Sequence, residues 1–169
     1  MAGYQLDKLT VLVADDSETI RQLLSTVLRT LGIGKIVAVE DGTAALEVLR
    51  QREIDLLIAD LAMKPMDGIT LLKAIRTNPE SPNQTLPVIL MTAHSERHLI
   101  EAARDAGVTE AVAKPVSARA LWQRIEAVLE RPRAFIRCAT YVGPDRRRRS
   151  DPNYAGPERR VSDPDIWKL

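Results

Sequence analysis

Three acids, a hydroxyl and an ammonium stand at the ends of short apolar runs in this 169-residue chain. Asp15 and Asp16 follow Thr10 to Ala14, Asp60 closes the run that starts at Asp55, Thr92 follows Pro87 to Met91, and Lys114-Pro115 follows Glu110 to Ala113. If those runs end at one edge, three carboxylates meet one ammonium. Like carboxylates resist joint ionisation, so the cluster asks for a cation. Oxygen-only ligands suit Mg²⁺, which takes one or two carboxylates, keeps water and borrows oxygens from a phosphoryl group. Asp60 is then both a metal ligand, with Asp15 and Asp16, and a candidate nucleophile, because a carboxylate attacking phosphorus gives an acyl phosphate. Lys114 and the metal would share the neutralisation of the transferred group, and Thr92 would donate its hydroxyl to a phosphoryl oxygen. Helix capping explains each acid singly but not the whole set.

The elements that would bring these residues together can be read along the chain. A fifth run, Lys35 to Val39, joins the four above, and several are apolar throughout, as strands covered on both faces must be. Between them, Ser17 to Leu31 opens on a capping serine and repeats Ile20, Leu23, Leu24, Val27, Leu28 and Leu31 at helical spacing. Thr43 to Arg52, Ile69 to Arg76, Glu96 to Ala106 and Ser117 to Leu129 read the same way, with Gly32 and Gly107 as helix stops. Five βα units in succession predict an α/β fold with a parallel sheet and helices on both faces. Right-handed crossovers then place all five strand carboxyl ends at one edge, where such sheets bind ligands.

These residues resemble the receiver domain of two-component response regulators, the CheY-like family, over roughly residues 8 to 130. The likeness rests on Asp15-Asp16, on Asp60 followed by Met63-Lys64-Pro65-Met66-Asp67-Gly68, on Thr92-Ala93 and on Lys114-Pro115. It implies a five-stranded flavodoxin-like sheet in the order 2-1-3-4-5, with Asp60 as phosphoacceptor, Asp15 and Asp16 as metal-binding acids, Thr92 as switch hydroxyl and Lys114 as phosphate-pairing base. It also implies a histidine kinase as phosphodonor. The activity implied is Mg²⁺-dependent self-phosphorylation and dephosphorylation of Asp60, not catalysis on a separate substrate. Two positions depart from the pattern. Ala111 stands where members often carry Tyr or Phe, and Ala62 occupies the variable position two residues past Asp60.

The charge is split. Residues 131–169 hold ten of the 24 basic residues and five of the 23 acids, a net +5 that leaves −4 on residues 1–130. With five prolines and little aliphatic content, this second segment is expected to be largely disordered on its own. It nevertheless repeats itself. Tyr141-Val142-Gly143-Pro144-Asp145-Arg146-Arg147 recurs thirteen residues later as Tyr154-Ala155-Gly156-Pro157-Glu158-Arg159-Arg160, and each copy closes on Ser-Asp-Pro. An Arg stands three residues before each of those aspartates, Arg148 before Asp151 and Arg160 before Asp163.

A guanidinium fork fits guanine O6 and N7, and a carboxylate accepts from guanine N1–H and its amino group, so one Arg and one Asp satisfy two edges of the base. The remaining arginines, Arg146, Arg147, Arg149 and Arg159, can pair with phosphate, and Tyr154 and Trp167 can stack. Two copies match a molecule with two guanines and two phosphates, which is cyclic di-GMP. The segment is similar to the arginine-rich extension of the Cle-type CheY-like effectors. That resemblance implies cyclic di-GMP binding and association with the flagellar motor switch, in the cytoplasm and at the motor-bearing pole. Two alternatives stand beside it: a single-domain phosphorelay regulator with an accessory basic tail, and a nonspecific nucleic-acid binder. The paired aspartates argue against the latter, since acids weaken pure phosphate binding.

Other features point away from further chemistry. His94 and His98 lack a third metal ligand, Gly32-Ile33-Gly34-Lys35 lacks the spacing of a phosphate loop, and Trp122 reads as packing or partner surface. The single Cys138 cannot form an internal disulfide, and no window approaches the ~18 apolar residues of a membrane helix, so the expectation is a cytoplasmic protein without membrane insertion.

Overall fold

The computed structural model describes residues 5–93, 97–138, 140–145 and 165–167. After a short 3-10 turn at Leu6–Lys8, the chain alternates β1 (Thr10–Ala14), α1 (Glu18–Thr30), β2 (Lys35–Val39), α2 (Gly42–Gln51), β3 (Leu56–Asp60), α3 (Gly68–Thr77), β4 (Val88–Thr92), α4 (Arg97–Asp105), β5 (Glu110–Ala113) and α5 (Ala118–Glu130). The five strands pair in parallel in the order β2-β1-β3-β4-β5, as expected. Strand alternation divides the core in two. Val11 and Val13 face Leu24 and Leu28 of α1 and Leu121 and Ile125 of α5, whereas Leu12 and Ala14 face Ala45, Leu71, Leu72 and Ala103 of α2, α3 and α4. Trp122 packs beside the first of these layers, in keeping with a structural role.

The helix ends follow local chemistry. Ser17, Asp41, Asp67 and Ser117 cap α1, α2, α3 and α5, each accepting a hydrogen bond from an N–H of the first turn. Gly32 and Gly107 stop α1 and α4 with φ of 94° and 88°, the left-handed region that glycine enters without a Cβ clash.

The described residues between 131 and 145 differ from the expected disorder. There β6 (Phe135–Cys138) and β7 (Tyr141–Pro144) form an antiparallel hairpin packed against the body, with β8 (Asp165–Trp167) pairing on the other side of β6. Phe135 is 2% exposed and lies over the guanidinium of Arg76 from α3, 4.9 Å from ring centroid to carbon. Arg133 bonds the Thr109 carbonyl and approaches Glu110, and Arg137 bonds the Gln84 side chain. The hairpin also needs two bare Cα atoms. A Cβ on Gly107 would sit 2.4 Å from the Val142 carbonyl oxygen, and one on Gly143 would sit 2.7 Å from Gly107 Cα. Apolar burial, a cation–π contact and backbone proximity outweigh the ordering entropy that composition alone would leave unmet.

Candidate functional site

Topology delivers the expected residues to one edge. Asp60 and Thr92 are the last residues of β3 and β4, Asp15 and Asp16 follow β1 directly, and Lys114 follows β5. Asp15, Asp60 and Thr92 are buried, and Asp16 is exposed. Carboxylate oxygens of Asp15, Asp16 and Asp60 lie within 4.8 Å of one another. The Lys114 ammonium reaches Asp15 Oδ2 at 2.8 Å and Asp60 Oδ1 at 3.0 Å. Burial alone would depress the ammonium pKa, but the hydrogen bonds and charges of Asp15 and Asp60 outweigh it and hold Lys114 above the ordinary lysine range.

The backbone fixes these side chains. The Ser17 N–H donates to Asp15 Oδ1 at 2.9 Å and the Leu61 N–H to Asp60 Oδ1 at 2.9 Å, so each acid is oriented by the residues just past its strand. The Lys114 N–H donates to the Thr92 carbonyl at 2.7 Å, tying the ammonium-bearing loop to the threonine strand. Arg21, one turn into α1, donates from Nη1 to the Asp15 carbonyl at 2.7 Å and to the Asp16 carbonyl at 3.3 Å. Sequence reading missed Arg21; its place one turn after the Ser17 cap, beside the loop that carries both acids, was the available signal. The bonds from Ser17 and Leu61 leave the acids rigid and pre-positioned.

Among the described residues, three carboxylates face one ammonium at this edge, and all the candidate donors are oxygens. This donor set fits Mg²⁺, a hard divalent cation, with Asp15, Asp16 and Asp60 as the residues to hold it.

Other candidates are placed differently. Ala62 is exposed. Ala111 borders a groove of about 140 Å³ together with Tyr141 of β7, so an aromatic ring from the hairpin stands near the position that lacks one. In the first copy of the tail repeat, Tyr141 and Gly143 serve packing: the Tyr141 hydroxyl donates to the Pro144 carbonyl at 2.8 Å, and Gly143 admits Gly107. Trp167 is in β8, opposite Phe135 in register. Arg146, Arg147, Arg148, Arg149, Asp151, Tyr154, Arg159, Arg160 and Asp163 lie outside the described residues, as does His94. No helix among the described residues is long and apolar enough to cross a membrane.

Comparison with known proteins bears on the same region. The family model for the response regulator receiver domain matches residues 11–126. The chain is 38% identical over 121 residues to the chemotaxis protein CheY of Pseudomonas aeruginosa, covering 72% of this chain and 96% of that protein. It is 36% identical to the chemotaxis protein CheY-3 of Vibrio cholerae, over 72% of this chain and 92% of that one. Among solved structures, a putative response regulator from Chloroflexus aurantiacus superposes with a TM-score of 0.67 at 32% identity, covering 73% of this chain and 98% of the other. The chemotaxis protein CheY4 of Vibrio cholerae superposes with a TM-score of 0.66 at 28% identity, over 71% and 98%. The family model's match ends at residue 126, before the hairpin and the arginine-rich tail.

Proposed function

This chain belongs to the response regulator receiver family, and from that premise we propose that it is a CheY-like signalling adaptor whose arginine-rich tail binds cyclic di-GMP and thereby controls association with a partner, the flagellar motor switch. The observation that carries the reading is the doubled Arg-x-x-Asp element, Arg148 with Asp151 and Arg160 with Asp163, in a tail of net +5 behind a receiver of net −4. A guanidinium and a carboxylate three residues apart can border one guanine, whereas a tail built only to grip phosphate gains nothing from the acids. Ligand contacts from Arg146, Arg147, Arg149, Arg159 and the stacking residues Tyr154 and Trp167 would offset the ordering cost, and the ordered tail with the receiver would present the partner surface. Such an adaptor works in the cytoplasm and is recruited to the motor at the pole.

Titration calorimetry on the full chain tests this reading. Cyclic di-GMP should bind, cyclic di-AMP should bind at least about tenfold more weakly, and Asp151→Ala or Asp163→Ala should abolish the preference. Equal affinity for the two dinucleotides, unaffected by the aspartates, overturns it. A steep salt dependence with Asp151→Ala improving affinity would mark a nonspecific nucleic-acid tail instead.

A second reading has its own observation, the engaged acid pocket. The Lys114 contacts to Asp15 and Asp60 suit a phosphorelay receiver that takes its phosphoryl group from a histidine kinase. In that chemistry an Asp60 carboxylate oxygen forms the new bond to phosphorus as the donor's bond breaks, Lys114 balances charge on the transferred group, and Thr92 donates its hydroxyl to a phosphoryl oxygen. Mg²⁺, when bound by the three acids, supplies Lewis-acid neutralisation of the phosphoryl oxygens. Partner binding separates the readings. Loss on Arg148→Ala with Arg160→Ala, and retention on Asp60→Ala, supports ligand control; the reverse supports phosphorelay control.

A further inference from the structure

A cavity of about 510 Å³, separate from the acid pocket, lies between α3, the end of α4 and the hairpin. It lies where the strands begin, at the opposite edge of the sheet from Asp60. Among the described residues its lining includes three cations, Lys73, Arg76 and Arg137, and one acid, Asp105, which itself has Arg104 at 3.7 Å. Arg76 is the unusual member. It is 1% exposed, yet no carboxylate pairs with it among the described residues; its partners are the Gly107 carbonyl at 3.0 Å, the Gln84 carbonyl at 2.8 Å and the Phe135 ring. Its second terminal nitrogen, Nη2, has no hydrogen-bond partner among the described residues.

A buried guanidinium without a counter-ion is costly, because burial removes the water that would stabilise the charge and two carbonyl dipoles only partly replace it. Burial accordingly lowers its pKa to about 9, well below the guanidinium range, which still leaves it protonated at neutral pH. The volume falls within the range of small-molecule sites and exceeds what a bare inorganic ion fills. Cations from two elements, Lys73 and Arg76 of α3 and Arg137 of β6, suit a phosphate, which offers oxygens on several sides, better than a planar carboxylate.

We infer that this cavity is an anion-binding site for a phosphate ester of nucleotide size, with buried Arg76 and exposed Lys73 supplying the charge. The inference takes its charge from Lys73 and Arg76 and uses nothing from the arginines of the doubled element. It gives the molecule a small-molecule input at the end remote from the phosphoacceptor.

Backbone amide spectra of the full chain test the inference, with 5′-guanosine monophosphate, inorganic phosphate and cyclic di-GMP as probes. The monophosphate should shift the amides of Thr77, Gln84 and Thr140 saturably, with inorganic phosphate weaker at the same amides and Asp60 unmoved. Lys73→Glu, an exposed substitution that spares the core, should weaken the midpoint by about tenfold or more, as reversal of a charged contact requires. Arg76→Gln should weaken it further where that variant folds. Arg148→Ala with Arg160→Ala should leave the cavity shifts in place while removing cyclic di-GMP effects elsewhere, so failure of the tail reading and failure of this one give different spectra. Absence of saturable shifts at these amides, shifts indifferent to Lys73→Glu, or shifts lost with the tail arginines would overturn the site.

Discussion

The two edges of the parallel sheet differ in the sign of their charge and in how that charge is held. At the carboxyl edge, Asp15, Asp16 and Asp60 lie within 4.8 Å of one another, and Lys114 ties two of them together. At the amino edge, Arg76 is buried with carbonyls and an aromatic ring for company. The acids are placed by strand order alone, whereas Arg76 is buried by the docking of a hairpin that arrives about sixty residues later in the chain. The cluster that topology assembles keeps one acid, Asp16, open to solvent; a charge buried by docking is bound to the stability of the dock.

That contrast can be broken experimentally, starting with chemistry. Asp60→Asn should eliminate incorporation of phosphate from a small-molecule phosphodonor in the presence of Mg²⁺, read by intact mass, while leaving the fold and the hairpin unchanged by circular dichroism. Retained incorporation would remove Asp60 as the acceptor. The next largest effect is expected at the other edge. Gly107→Val would force a β-branched residue to a φ of 88° and place its Cβ 2.4 Å from the Val142 carbonyl oxygen, at a cost of about 3 kcal/mol or more on denaturant unfolding. Phosphorylation of Asp60 should survive in whatever fraction remains folded.

Lys114→Ala should cost about 1–3 kcal/mol without metal, because two buried acids lose their shared cation, and Mg²⁺ should recover part of that loss by mass action on the native state. A loss that Mg²⁺ leaves untouched would argue against the acids as ligands. The smallest effect is one of slope. Arg76 holds a folded-state pKa of about 9, below its unfolded value, so above pH 9 the unfolded chain keeps more protons than the native one and stability should rise with pH on this account. Below pH 9 the group is charged in both states and contributes no slope. Unfolding free energies of the protein and of Arg76→Met, compared from pH 8 upward, should therefore diverge only above about pH 9. Parallel curves across that range would show that burial does not perturb the guanidinium.

The carboxyl edge was readable before any coordinates because its logic is one-dimensional. Apolar runs mark strands, right-handed crossovers align their ends, and the residues at the close of each run must converge; Asp15, Asp60, Thr92 and Lys114 obey that rule, with strand limits displaced by at most a residue at each end. The hairpin was not read, although its pattern was present. Phe135-Ile136 and Tyr141-Val142 flank a two-residue connection, Ala139-Thr140, but that pair lacks the Asn-Gly or Asp-Gly chemistry that marks a tight turn. Prolines and arginines around it dilute the apolar residues and suggest disorder. The pairing of Phe135 with Arg76 and of Gly143 with Gly107 spans sequence distances at which a single chain carries no periodic signal.

The Asp145 N–H donates to the Ala134 carbonyl at 2.7 Å, closing the hairpin at its root. Arg146 is the next residue, so its Cα lies one peptide unit, about 3.8 Å, from an anchored atom. The last described residue before the arginines, Asp145, is therefore moored beside residue 134 and not at the end of α5. The same strand β6 also carries Trp167 of β8 opposite Phe135, so the chain is held to one strand both before and after the basic stretch.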